Sequence, residues 1–280
     1  MEARPWPMNR LRRLGEHIRD ETTQPADALE YSAVMSWYND LATHIQSRLQ
    51  AIPWAQVLGH EEVEIISRPK TIDTLRQKLQ RDHRIPLPNI QDIAGIRVEA
   101  EMNLRQQNEA VAAICDELND CATEVHDMRE NPHSGYRAVH IWVRAYGGRA
   151  EIQVRTHIQG AWANMYEAAG DLFGREIRYG SLPEQEEIAN LVTALQDFSL
   201  IRATALESAR DSLDQLDESE RQRTGPHKTS KDRSAIVRRK RKLRRSYENA
   251  ENVFKDEMIG LRVAFDAARR NVVASAREEV

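Results

Sequence analysis

Val34, Tyr38, Leu41, Ile45, Leu49 and Ile52 recur at three- and four-residue intervals, and the run stops at Pro53. That period predicts an amphipathic helix over 27–52. The period then shortens. The segment 62–67 (EVEIIS) predicts a strand, and 71–81 a helix that ends ahead of Pro86-Leu87-Pro88. Further strands are predicted over 93–100, 123–128 and 137–146, with a helix over 104–119 between the first two. Gly147-Gly148 turns the chain straight into 149–156 (RAEIQVRT), where Glu151, Gln153 and Arg155 alternate with Ile152 and Val154. A half-buried strand with that alternation points a carboxylate outward. The order α, β, α, β, α, β, β, β predicts an α/β (α+β) fold, a mixed sheet of about five strands flanked by helices.

Beyond residue 156 no strand is predicted. Ile188, Leu191, Leu195, Phe198, Ala205, Ala209, Leu213 and Leu216 repeat at helical spacing. Tyr247, Ala250, Phe254, Met258, Leu261, Phe265, Ala268 and Val272 alternate three- and four-residue steps like a coiled-coil seam. Two long helices packing as a hairpin account for both series. The polar stretch 217–232, with Gly225-Pro226, serves as turn or hinge. The expected division is a domain over 1–180 and a helical extension over 181–280.

Composition narrows the function classes. The chain has 280 residues, 30% charged, with a net charge of −4, which suits a helix-rich globular protein and not a uniformly basic nucleic-acid coat. The basic residues cluster: 228–245 holds ten Lys or Arg and one Asp, including Arg238, Arg239, Lys240, Arg241 and Lys242. Such a run meets a phosphate backbone or forms a solvated helix face. Arg4, Arg10, Arg12 and Arg13 have no apolar core behind them, and no run suits a membrane span, so the expected location is cytoplasmic. Cys115 and Cys121 have neither redox-pair nor zinc-knuckle spacing. Any metal is therefore expected to be oxygen-ligated.

Three further patterns carry candidate chemistry. Lys70, Thr74 and Lys78 fall within about 80° on a helical wheel, opposite Ile72, Leu75 and Leu79. At a helix N-terminus such a stripe suits a polyphosphate, although a solvated surface helix has the same pattern. Asp92 stands at the entrance of the apolar run 90–98, with Arg97 inside it; two carboxylates on strand ends, Asp92 and Glu151, suit Mg2+ held against phosphates. In 133–140 (HSGYRAVH), strand parity puts Tyr136 and His140 on one face, where a ring stacks on a base or simply packs.

Arg68-x-Lys70-x3-Thr74-x3-Lys78, then 92–97 (DIAGIR), 134–140 (SGYRAVH), 151–156 (EIQVRT) and Trp162-Ala163 with Glu167, resemble the RelA/SpoT synthetase domain in order and spacing over roughly 60–175. The resemblance implies a nucleotidyltransferase-like fold. It also implies transfer of the β,γ-diphosphate of ATP to the ribose 3′-hydroxyl of GDP or GTP, giving a (p)ppGpp-type alarmone as in the stringent response. By position, Arg68 and Arg97 look like the arginines flanking adenine, and Lys70, Thr74 and Lys78 like the phosphate-binding set. Asp92 looks like the Mg2+ ligand, and Glu151 like the carboxylate that shares the metal and orients the acceptor hydroxyl. Tyr136 looks like the guanine-stacking residue, with His140 and Gln153 near the acceptor.

The acceptor side departs from the family. Where many members carry lysines before SGYR, this chain has Arg129-Glu130-Asn131-Pro132-His133, leaving Arg129 to substitute, and Glu167 is followed by Ala168 instead of His. Two alternatives stand: a toxin or phage-defence enzyme that pyrophosphorylates the tRNA 3′ end, or an inactive module that senses nucleotide or pairs with an antitoxin or defence partner. The helical seams could also join copies into a homo-oligomer, and a hydrolase half is not expected.

Overall fold

The structure, a computed structural model, describes residues 1–23, 25, 28–222 and 230–278. The chain divides into two compact units. The first comprises Met1–Met102, Gln106–Asp127 and Ala138–Thr156; the second comprises Asn103–Arg105, Met128–Arg137 and His157–Val280.

The first unit is built on five strands, β1 (Val63–Pro69), β2 (Ala94–Ala100), β3 (Ala122–Asp127), β4 (Val139–Ala145) and β5 (Gly148–Thr156), in the order β1-β2-β5-β4-β3. Only β2 and β5 are parallel; the other pairs are antiparallel. The expected mixed sheet is therefore present. One face is apolar: Ile65, Ile96, Val98, Ile141, Val143, Ile152 and Val154 all lie in a single core cluster. The helices α1 (Met8–Asp20), α2 (Tyr31–Gln50), α3 (Trp54–Leu58), α4 (Ile72–Arg81) and α5 (Leu104–Glu117) contribute Leu14, Leu41, Leu58, Leu75 and Ile114 to it. Burial of each such side chain contributes about 2 kcal/mol.

Two expectations need correction here. α1 was not predicted, yet Leu11, Leu14 and Ile18 form a buried stripe between its arginines. The turn between β4 and β5 lies one residue earlier than expected. Ala145 pairs with Gly148, and Tyr146 and Gly147 take φ of 53° and 79°, a two-residue turn of the hairpin-favouring kind. Gly148 is instead the first residue of β5, where a β-carbon would come within 2.6 Å of the Trp37 ring.

In the second unit, α6 (His157–Phe173), α7 (Glu186–Asp197), a π-helical segment (Phe198–Ala203), α8 (Thr204–Gln222) and α9 (Ser230–Glu278) follow one another. α6 and α7 close around Trp162, Tyr166, Val192 and Leu195, against which Phe254, Met258, Leu261 and Phe265 of α9 pack. α8 and α9 run antiparallel, as the ion pairs Lys240–Asp217 (2.5 Å) and Arg202–Glu257 (2.8 Å) show. The Gly225-Pro226 turn falls outside the described residues. The π segment corrects the predicted apolar register. Its wider turn rotates the helix, so Ala203 and Leu206 are buried, whereas Ala205 is exposed.

Candidate active site

β1 and β2 pair with Arg68 opposite Gly95 and Pro69 opposite Ala94. The residue after β1, Lys70, therefore comes level with the turn into β2, where Asp92 lies. α4 runs on from there and brings Lys78 to the same carboxylate. Lys70 Nζ lies 2.5 Å from Asp92 Oδ2 and Lys78 Nζ 2.7 Å from Oδ1, so both oxygens accept charge-assisted hydrogen bonds. Burial opposes the charge on Asp92, but the two ammoniums outweigh it and hold the carboxyl at about 2. For Lys70 burial wins: it pulls the ammonium below its ordinary value despite Asp92.

The predicted Lys70/Thr74/Lys78 helical stripe is changed in detail. Lys70 precedes the helix, whose N-cap is Thr71. Thr74 directs its hydroxyl to the Thr71 carbonyl at 2.9 Å, while its N–H donates to Thr71 Oγ1 at 3.4 Å. The cap has already satisfied one of the amides that would otherwise face an anion. The lysines meet at Asp92 through strand pairing and helix return, not through a shared helix face.

The sheet's second face is polar, because strand alternation that sends Ile152 and Val154 to the core sends Glu151, Gln153 and Arg155 the other way. β5 is the central strand, however, so neighbours on both sides crowd this face. Glu151 is only 9% exposed, and the expected outward-facing carboxylate is buried. Its Oε1 accepts from Trp142 Nε1 at 3.2 Å and faces His140 Nδ1 at 3.3 Å; its Oε2 accepts from Gln153 Nε2 at 2.8 Å. Burial opposes ionisation of Glu151, yet the bond and charge of His140, helped by Gln153, bring it below the usual carboxylate range. Asp92 acts on it in the opposite sense, so the two acids feel one another.

Gln153 is itself fixed. Arg155 Nη2 donates to its Oε1 at 2.6 Å, and because a guanidinium only donates, the amide NH2 must face Glu151. Arg97 lies 3.4 Å from Glu99, which also pairs with Arg155 at 3.7 Å. Arg68 is exposed on β1 on the same face. Opposite Glu151 in β2 stands Gly95, which adds no side chain beside the carboxylate. Trp142, Arg155, Glu99 and Gly95 were missed by sequence reasoning. The hairpin register could have found Trp142, since a turn at 146–147 places it directly opposite Glu151.

Tyr136 and Arg129 belong to the second unit. β4 begins only at Val139, so the parity argument that joined Tyr136 to His140 fails. Ser134 and Gly135 take φ of 51° and 82°, and Tyr136 N–H donates to the His133 carbonyl at 2.9 Å. The Tyr136 ring packs against the cluster that contains Trp162. Arg129 acts electrostatically on Asp211 of α8, whose carboxyl burial pushes up. On α9, Arg238, Arg239, Arg241 and Lys242 are exposed, and Lys240 is half-buried beside Asp217.

A family model for the region found in RelA and SpoT proteins matches residues 67–176, which contain both carboxylates and both lysines. The chain belongs to the RelA/SpoT family. An uncharacterized protein of Mycobacterium tuberculosis is 42% identical over 202 residues, covering 70% of this chain and 72% of that protein. The GTP pyrophosphokinase of Haemophilus influenzae is 28% identical over 129 residues, covering 45% of this chain and 17% of the relative. Small alarmone synthetase 1 from Bacillus subtilis superposes with a TM-score of 0.53 at 19% identity, over 66% of this chain and 98% of that one. At that identity the likeness establishes the RelA/SpoT fold alone.

Among the described residues, no group of three His, Cys, Asp or Glu is arranged to hold a metal, and no helix is long and apolar enough to cross a membrane.

Proposed function

We propose that this chain is an ATP-dependent pyrophosphokinase of the synthetase kind, which transfers the β,γ-diphosphate of ATP to the ribose 3′-hydroxyl of GDP or GTP. Its catalytic domain is 1–180 and its helical extension 181–280. The observation that carries this reading is the pair of carboxylates on the RelA/SpoT sheet, half-buried Asp92 held by two lysines and buried Glu151 held by Trp142, Gln153 and His140. Diphosphate transfer needs positioning and charge neutralisation more than covalent chemistry.

Lys70 and Lys78, stored on Asp92, hold the phosphates of ATP, with Thr74 at the same helix start. Arg68 and Arg97 flank the adenine. Asp92 and Glu151 suit Mg2+, which is typically held by one or two carboxylates and completed by phosphate oxygens. When bound, it would neutralise charge developing on the phosphates. Glu151 orients the acceptor 3′-hydroxyl and takes up its proton, which an ionised carboxylate can do. Gln153 and His140 fix Glu151, and Tyr136 stacks on the acceptor base, with Arg129 replacing the family's loop lysines toward its phosphates.

The exposed basic turns of α9 favour one second reading, in which the acceptor is the 3′ end of tRNA. Incubation with γ-labelled ATP, Mg2+ and, in parallel, GDP, GTP and deacylated tRNA separates these readings by which acceptor takes up label. Label on GDP or GTP supports the main proposal, and label on tRNA alone the second. Absence of label from all three leaves a nucleotide-sensing or partner-binding module.

A further inference from the structure

The segment joining β3 to β4 clusters with the helical unit, not with the sheet unit it interrupts in sequence. Within that unit each residue around Tyr136 is held. Ser199 Oγ, in the π segment and itself buried, donates to the Gly135 carbonyl at 2.6 Å. A β-carbon at Gly135 would lie 2.9 Å from the Trp162 ring and 3.1 Å from the Gln196 carbonyl, so the loop backbone lies directly on α6 and α7. Tyr166 hydrogen-bonds Ser134 and accepts from Gln196 Nε2 at 2.8 Å. On the far side, Arg137 forms an ion pair with Glu207 of α8 at 2.6 Å. Both are nearly sealed from solvent, 5% and 2% exposed, and Gln159 of α6 donates to the other Glu207 oxygen at 2.9 Å.

A buried ion pair is a costly way to gain stability, and an apolar pair of similar volume often does better. What it supplies is direction, because each charge accepts few geometries. The π segment points the same way: π bulges are rare and are frequent at functional sites. Here the bulge coincides with the residue that grips Gly135, and the Ser199 carbonyl accepts from Thr204 Oγ1 at 3.3 Å.

We infer that the Arg137–Glu207 pair and Ser199 are positioning residues for the Tyr136 loop, so that α8 and the π segment set the acceptor-binding aromatic and thereby acceptor affinity. This rests on the acceptor role proposed for Tyr136. The bonds named for the clasp are made within the helical unit, whereas the proposed donor residues Lys70, Lys78 and Asp92 belong to the sheet unit, so donor affinity should not depend on it.

The test uses the full chain with Ser199→Ala, with the paired replacement Arg137→Met and Glu207→Leu, which leaves no orphaned buried charge, and with thermal melts to confirm folding. Ser199→Ala should raise the KM for GDP or GTP about fivefold, the worth of one hydrogen bond. The paired replacement, which keeps the volume but removes the directional pair, should raise it as well. The KM for ATP should stay unchanged in both. Hydrogen exchange over 133–137 should quicken in both variants, a readout that needs no turnover. Unchanged exchange, or equal rises in both KM values, would overturn the clasp. Failure of the wild type to bind GDP or GTP by calorimetry would instead sink the acceptor reading while the exchange result still judged the clasp.

Discussion

Half-buried Asp92 and buried Glu151 are both acids whose charge is favoured, yet by different means. Asp92 lies at the mouth of β2, and its charge is matched by two full positive charges at 2.5 and 2.7 Å. Glu151 lies mid-strand among the neutral donors Trp142 and Gln153, with His140 at 3.3 Å. Two lysine charges explain the first, and hydrogen bonds together with the charge of His140 explain the second. The difference teaches which side chain can lose its charge without harm to the fold. Removing Asp92's charge strands two ammoniums, one of them already depressed by burial. Removing Glu151's leaves an acceptor oxygen for Trp142 and His140 and a mismatch with the Gln153 amide, with no lysine ammonium stranded.

The largest expected effect breaks function at both positions and stability at one. Glu151→Gln and Asp92→Asn should each cut pyrophosphate transfer about a thousandfold or more, as loss of a group acting on the transition state does. Glu151→Gln should leave the melting temperature within about 3 °C, whereas Asp92→Asn should lower it by about 5 °C or more, the signature of two half-buried ammoniums left without their partner. Activity assays paired with thermal melts decide it. Equal stability losses would erase the contrast, and wild-type transfer in either variant would remove that acid from the mechanism.

An intermediate effect sharpens the same contrast through pH. Asp92 has its folded pKa depressed to about 2 from an ordinary 3.8. Its stabilisation is therefore full above pH 4 and is lost as pH falls toward 2. Converted by linkage, that is about 2 kcal/mol. Urea unfolding of the wild type between pH 6 and 2.5 should show this loss beyond that of Asp92→Asn, which lacks the group. Parallel curves for the two proteins would mean that the lysines do not hold Asp92 as the geometry indicates.

The two acids also differ in how far the sequence exposed them. Asp92 was legible as an acid at a strand mouth with cations nearby, but its true partners depend on antiparallel pairing of β1 with β2. A helical wheel cannot show that, and so Lys70 was placed on a helix it only precedes. Glu151 was legible from alternation, but alternation assigns a face and not burial. Only the central place of β5 reveals that the polar face is crowded. The hairpin missed by one residue because Gly147 and Gly148 are both glycines, and Tyr146 supplies the other positive φ. α1 was hidden because charge-dense flanks mask three buried positions. In the helical unit, a π segment rotates the apolar face in a way no fixed period anticipates. The family motifs were the most legible feature, since local runs such as 151–156 survive without knowledge of topology.

The smallest expected effect concerns the exposed arginines on the basic turns of α9. Arg239 and Arg241 are exposed, and exposed charges of this kind contribute little to stability. Arg239→Glu with Arg241→Glu should therefore leave the melting temperature and the KM for ATP within error, because neither residue is a donor-side ligand. If the acceptor is GDP or GTP, transfer to it should also be unchanged. If the acceptor is tRNA, the double reversal should cut labelling severalfold and flatten its dependence on salt, since each lost phosphate contact removes counterion release. Lys240 is a poorer probe, because its reversal would also place two acids together at Asp217 and disturb the pairing of α8 with α9. An experiment confined to the exposed arginines thus reads the acceptor alone, and leaves the two carboxylates and the loop that presents Tyr136 untouched.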